Sequence, residues 1–156
     1  MTIQGLDTIL ANHPYFKEFT GEYLKLLAGC AANVRYGEGE FLFKEGQEAD
    51  HFFIIREGTV ALELYSPGKG PLILETIGDG GIVGWSWLIP PNQWRADGRA
   101  STAVRALKLD GSCLRKKCEA DPAFGFRLLR KVSSEMAHSM DHMRMRLLDL
   151  YGKADK

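Results

Sequence analysis

The spacing of apolar residues changes character twice along the chain. Over residues 1–31 it is helical. The segment "LDTILANHPYF" reads as a weak helix closed by Pro14. "TGEYLKLLAGCA" reads as a stronger one, with Thr20 placed to cap it, Glu22 in its first turn and Gly29 at its end. From Ala32 to Asp110 the runs shorten and fill with Val, Ile, Phe and Tyr: "ANVRY", "EFLFK", "HFFIIREG", "TVALELY", "PLILETI", "GGIVG" and "RASTAVRALKLD". Turn-forming sets such as "GEG", "EGQEAD", "SPGKG" and "GDGG" separate them. "TVALELY" alternates cleanly, which puts Val60, Leu62 and Leu64 on one face. About seven short strands at this spacing predict a mainly β architecture, a jelly roll with helices on its flanks.

Helical spacing returns over residues 111–156. "DGSCLRKKCEA" predicts one helix. Asp121-Pro122 then opens another, with the Asp as cap and the Pro at the first helical position. Val132, Met136, Met140, Met143, Leu147 and Leu150 follow at intervals of four or three and form one apolar stripe. A helix running from Pro122 to Leu150 is longer than one side of a small roll needs. Its stripe suits a two-helix seam, so the expectation is a two-fold homodimer through Met136, Met140, Met143, Leu147 and Leu150, pairing near Met140 and Met143.

Bulk properties narrow the function classes. With 156 residues, 45% hydrophobic and 26% charged, the chain suits one ordinary globular domain. Twenty basic residues balance twenty acidic ones, so no overall field draws it to nucleic acid or to a membrane. No apolar run approaches the ~20 residues that cross a bilayer. The start "MTIQGLDTILANHPYF" lacks the pattern of a secretory signal, which points to the cytoplasm. Cys30, Cys113 and Cys118 are too few and too irregular for a disulfide framework, so reduced thiols are expected.

Catalytic chemistry is missing from the pattern. No histidine sits in a nucleophile motif or beside a suitable cysteine, and no phosphate-binding loop of the nucleotide-hydrolase type occurs. His138 and His142 are four apart on a helix and can share a metal, but no third ligand stands at a convincing spacing. The expectation is a non-enzymatic chain with no metal site and no catalytic residues. Arg127, Arg130, Lys131, Arg144 and Arg146 stand among acidic residues on the last helix, as on a solvated face.

The segment "FLFKEGQEADHFFIIREGTV" carries a resemblance. Gly46, Ala49, the run Phe52–Ile55 and Gly58 fit the signature of the cyclic-nucleotide-binding domain, the effector module of the catabolite activator/fumarate-nitrate regulator superfamily. Phe43 stands where that family prefers a smaller residue. With the helical flanks, the resemblance covers nearly the whole chain. It implies that residues 84–102 form the ligand cassette, which in the family opens Gly-Glu, turns through a short helix and reaches an Arg. Gly84 is retained, but Trp85 replaces the Glu. Ser86 and Trp87 follow, and Pro90-Pro91 stops any helix. Two registers stay open for the Arg: Arg95 with Ala96 behind it, at the better spacing, or Arg99 ahead of Ser101 and Thr102.

These residues are the candidate ligand set. The sequence names no cofactor outright. A cyclic nucleotide is the family's ligand, weakened here because Trp85 removes the acceptor for a ribose hydroxyl. Two other readings stand beside it. The three tryptophans plug the roll and leave an interaction module, or the arginines and indoles hold a different small anionic or aromatic effector. The resemblance further implies that an occupied cassette shifts against the long helix. The helix-turn-helix reader of the family's transcription factors does not follow that helix, so no DNA binding is expected of this chain. It reads either as a stand-alone sensor or as a piece of a longer regulator.

Overall fold

The structure is a computed structural model that describes residues 9–13, 16, 17 and 19–154. The predicted first helix therefore lies largely outside the described residues. Elements run α1 (Gly21–Ala28), β1 (Ala31–Tyr36), β2 (Phe41–Phe43), β3 (His51–Glu57), β4 (Val60–Ser66), β5 (Gly70–Ile77), β6 (Ile82–Val83), β7 (Asp97–Ala100), β8 (Val104–Asp110), α2 (Gly111–Ala120) and α3 (Pro122–Ala154). The caps at Thr20 and Asp121 work as the sequence indicates, and Asp110 supplies one that the sequence reading did not name. Thr20 accepts from the Tyr23 amide, Asp110 from Cys113 at 3.0 Å and Asp121 from Phe124 at 3.2 Å.

Two four-stranded antiparallel sheets, ordered β1-β8-β3-β6 and β2-β7-β4-β5, make the jelly roll expected from the strand pattern. The apolar run in β3 now has its reason. Phe52 and Ile54 join the core beneath the helices, while Phe53 and Ile55 join the core between the sheets. Both faces of β3 are buried, so the alternation vanishes from its sequence. Gly58, just after β3, sits at φ 107°, and a Cβ there would lie 2.3 Å from the Ala103 carbonyl oxygen. Only glycine fits that corner.

Three features depart from the sequence reading. The predicted strand "RASTAVRALKLD" is two strands: Ser101–Ala103 turns the chain out of the β4 sheet (β7) into the β3 sheet (β8). In β4, Val60 is buried and Leu62 half-buried as expected, yet Glu63 on the opposite face is also buried, because Arg99 of β7 pairs with it. Cys30 and Cys113 are joined as a disulfide with Cα atoms 5.8 Å apart, and Cys118 is free. The reduced-thiol reading rested on three cysteines being too few and too irregularly spaced for a disulfide framework. It is the β1–β8 ladder, closed by the Asp110 amide on the Cys30 carbonyl, that carries residues 83 apart together.

Helices α1 and α2 and the first turns of α3 cover the outer face of the first sheet. Phe124, Leu128 and Val132 close that core with Leu27, Leu114 and Leu107. The remainder of α3 reaches the second sheet at β5. There Ser139 Oγ donates to Glu75 Oε2 at 3.0 Å, and Arg146 donates to the Ile73 carbonyl. No described helix is long and apolar enough to cross a membrane.

Candidate functional site

Between β6 and β7 the chain folds as a compact turn over the edge of the roll. Gly84 takes φ 97°, and its missing side chain matters: a Cβ there would meet the Trp94 ring at 2.7 Å. Trp94 is buried in the roll core and stacks on Phe43, with centroids 3.7 Å apart. This explains the large residue at position 43, since Phe43 supplies the platform for the indole. Asn92, at φ 57°, ties the turn internally: its Nδ2 donates to the carbonyls of Ser86 and Trp87 at 3.0 and 2.9 Å. Arg115 of α2 donates to the same Trp87 carbonyl. Residues 46–49 clamp the far side, with the Gly46 amide on the Trp94 carbonyl and the Ala49 amide on that of Asn92.

The three tryptophans therefore separate. Trp87 belongs to the core under the helices, stacked on Phe52 at 5.2 Å. Trp94 belongs to the core between the sheets. Trp85 is half-buried and faces a cavity of about 380 Å³. The roll supplies Phe43, Leu62, Leu74, Ile77 and Ile82 to this cavity, and the turn supplies Gly84, Trp85, Ser86, Trp94, Arg95 and Ala96. Helix α3 closes it with Met136, Met140 and Met143. Of the candidate ligand residues, Gly84, Trp85, Ser86, Arg95 and Ala96 come together here.

Trp87, Arg99, Ser101 and Thr102 do not. Arg99 Nη2 lies 2.8 Å from Glu63 Oε1, and its charge is committed to that buried carboxylate. The Ser101 amide donates to the Thr59 carbonyl, and Thr102 Oγ1 accepts from the Thr59 amide, so both fix the β7–β8 corner. Arg95 is exposed at the cavity mouth with its guanidinium 5.4 Å from the Trp85 ring centroid. Geometry thus places Arg95, and not Arg99, beside the cavity.

Sequence reasoning passed over two carboxylates. Glu75 of β5 and Glu135 of α3 both line the cavity, together with Ser139. Glu75 is buried, held by the Ser139 hydroxyl. Burial pushes the Glu135 carboxyl above its ordinary range, His138 works against the push and Glu75 adds to it. Nothing local marks either residue, because each is an ordinary charge on an amphipathic element until the fold sets them face to face. Among the described residues no group of three or more His, Cys, Asp or Glu is placed to hold a metal ion. The rings of His138 and His142 lie with centroids 4.5 Å apart on the exposed flank of α3.

Comparison with known proteins agrees with this architecture. The family model for the cyclic nucleotide-binding domain matches residues 33–121. The cAMP-dependent protein kinase regulatory subunit of Dictyostelium discoideum is 28% identical over 115 residues, 74% of this chain and 35% of that protein. The chain thus spans about a third of that relative's length. The N-terminal domain of a transcriptional regulator from Streptomyces coelicolor A3(2) superposes with a TM-score of 0.68 at 28% identity, covering 86% of this chain and 94% of that one. A cyclic nucleotide-binding domain from Methylobacillus flagellatus KT shares the fold, with a TM-score of 0.78 at 20% identity over 94% and 83% of the two chains. The family model spans more than half of the chain, and the chain belongs to the cyclic nucleotide-binding domain family.

Proposed function

We propose that the chain is a non-enzymatic regulatory module whose effector enters the cavity between the cassette turn and α3, and whose output is the position of that helix. One observation carries this reading. Trp85 and Arg95 of the turn and Met136, Met140 and Met143 of α3 line the same cavity, so an occupant is within reach of both elements. The same methionines belong to the stripe proposed to pair α3 with a second copy. The exposed part of the stripe begins at Met140, since Val132 is buried in the domain's own core and Met136 packs against it. The proposed working form is a homodimer that acts without DNA contacts of its own.

The cassette has lost its fit to a cyclic phosphate. Trp85 offers no acceptor to a ribose, and the Trp94 ring edge covers Gly84, where backbone would otherwise meet the phosphate. Cyclic AMP and cyclic GMP should bind no tighter than about micromolar in isothermal titration. A submicromolar isotherm contradicts this. The interaction-module reading keeps one supporting fact, the full burial of Trp87 and near-full burial of Trp94. The cytoplasmic setting read from the sequence runs against the Cys30–Cys113 bridge, which cytosolic thiol systems would reduce. Counting free thiols in freshly lysed cells under an alkylating agent decides between them.

A further inference from the structure

Resting on the reading of this cavity as an effector site, we infer that its ligand is a planar aromatic molecule bearing N–H donors and no net negative charge. The lining is largely apolar: Leu62, Leu74 and Ile77 come from the roll, Met136, Met140 and Met143 from α3, and the indoles of Trp85 and Trp94 from the turn. Indole and thioether surfaces favour an aromatic ring over a strongly hydrated group.

Charge on the cavity lining is mostly negative. Two carboxylates, Glu75 and Glu135, line the cavity from β5 and α3. Glu75 is buried, and one of its oxygens takes the Ser139 hydroxyl. The only cation among the described lining residues is Arg95, which is exposed at the mouth and lies over Trp85. Inside the cavity a ligand thus meets two carboxylate acceptors, with the single guanidinium held at the mouth. An anion there would lose its water and face like charge, both unfavourable. A ring N–H or amino group instead satisfies the free acceptor positions of the carboxylates. Burial already raises the Glu135 pKa, and a donor on the ligand relieves that desolvation.

The test uses pairs that differ by the cyclic phosphate. The full chain is titrated with adenosine, guanosine, cyclic AMP and cyclic GMP by calorimetry, with tryptophan emission as a second readout. Each nucleoside should bind at least tenfold tighter than its cyclic phosphate. Glu135→Gln, at a half-exposed position that tolerates the change, should weaken nucleoside binding at least fivefold. Glu75→Gln should do the same. Cyclic phosphates that bind as tightly as the nucleosides, with loss in Arg95→Ala, overturn the ligand class and keep the cavity as an effector site. If none of the four binds at millimolar concentration, the ligand class is likewise overturned. The effector site falls with it if the uncharged apolar probe N-phenyl-1-naphthylamine also leaves the tryptophan emission unchanged.

Discussion

The two halves of α3 carry the same kind of side chain to opposite ends. In the first half, Phe124 and Leu128 are 0% exposed and Val132 5%, locked into the core beneath the first sheet. In the second half, Met140, Met143, Leu147 and Leu150 are 42–66% exposed. A helix that only covered its own roll would not carry large apolar residues into water for four further turns. The difference bears on the proposed division between anchorage and output: the first half holds the helix to the domain, and the outer turns leave apolar side chains for the proposed partner.

The most disruptive way to probe that division is to empty the anchored half. Phe124→Ala should cost about 3–5 kcal/mol of stability in urea unfolding, since it leaves a cavity among Phe19, Tyr23 and Leu128. Leu147→Ala, in the other half, should cost less than about 1 kcal/mol when measured on monomer. Similar losses at both positions would erase the distinction.

The cassette offers a smaller contrast of the same form. Arg99→Ala strands the buried Glu63 carboxylate and should cost about 1–3 kcal/mol, discounted because the guanidinium itself is part-exposed. Arg95→Ala should change stability by no more than about 0.5 kcal/mol, as an exposed arginine resting on an indole would. A reversed order in thermal melts would put Arg99 at the cavity's service and Arg95 at the fold's.

Smaller still is the effect of pH on the seat of α3 against β5. The folded pKa of Glu135 lies above its unfolded value, so the native state binds the extra proton. Its favourable contribution is full below the ordinary carboxylate pKa and is lost as pH rises through the raised one. Hydrogen exchange at the middle of α3 should therefore slow as pH falls into that window, after correction for intrinsic rates. Glu135→Gln should flatten the trend, and an unchanged slope in that variant would assign it elsewhere.

What could be read from the chain alone follows the range of the forces involved. Caps at Thr20 and Asp121 and most of the strand runs are local, and they hold in the structure, whereas the last run splits into β7 and β8. The buried run of β3 was legible for the same reason. The Cys30–Cys113 bridge, the Glu63–Arg99 pair and the facing of Glu75 with Glu135 all join residues distant in sequence through the ladder or the helix crossing. No spacing within one element announces them. The tryptophans illustrate both cases: their crowding marked residues 84–102, but only the packing shows that Trp87 and Trp94 serve two different cores while Trp85 meets the cavity.

The exposed half of α3 is the centre of this account, and sedimentation equilibrium tests it most directly. At micromolar concentration the wild-type chain should show twice its monomer mass. Leu147→Glu combined with Leu150→Glu, two seam positions that do not line the cavity, should return it to monomer with the β-roll still folded by circular dichroism. A wild-type chain that stays monomeric up to the highest concentration reached would contradict the pairing and leave the outer turns of α3 without their proposed output.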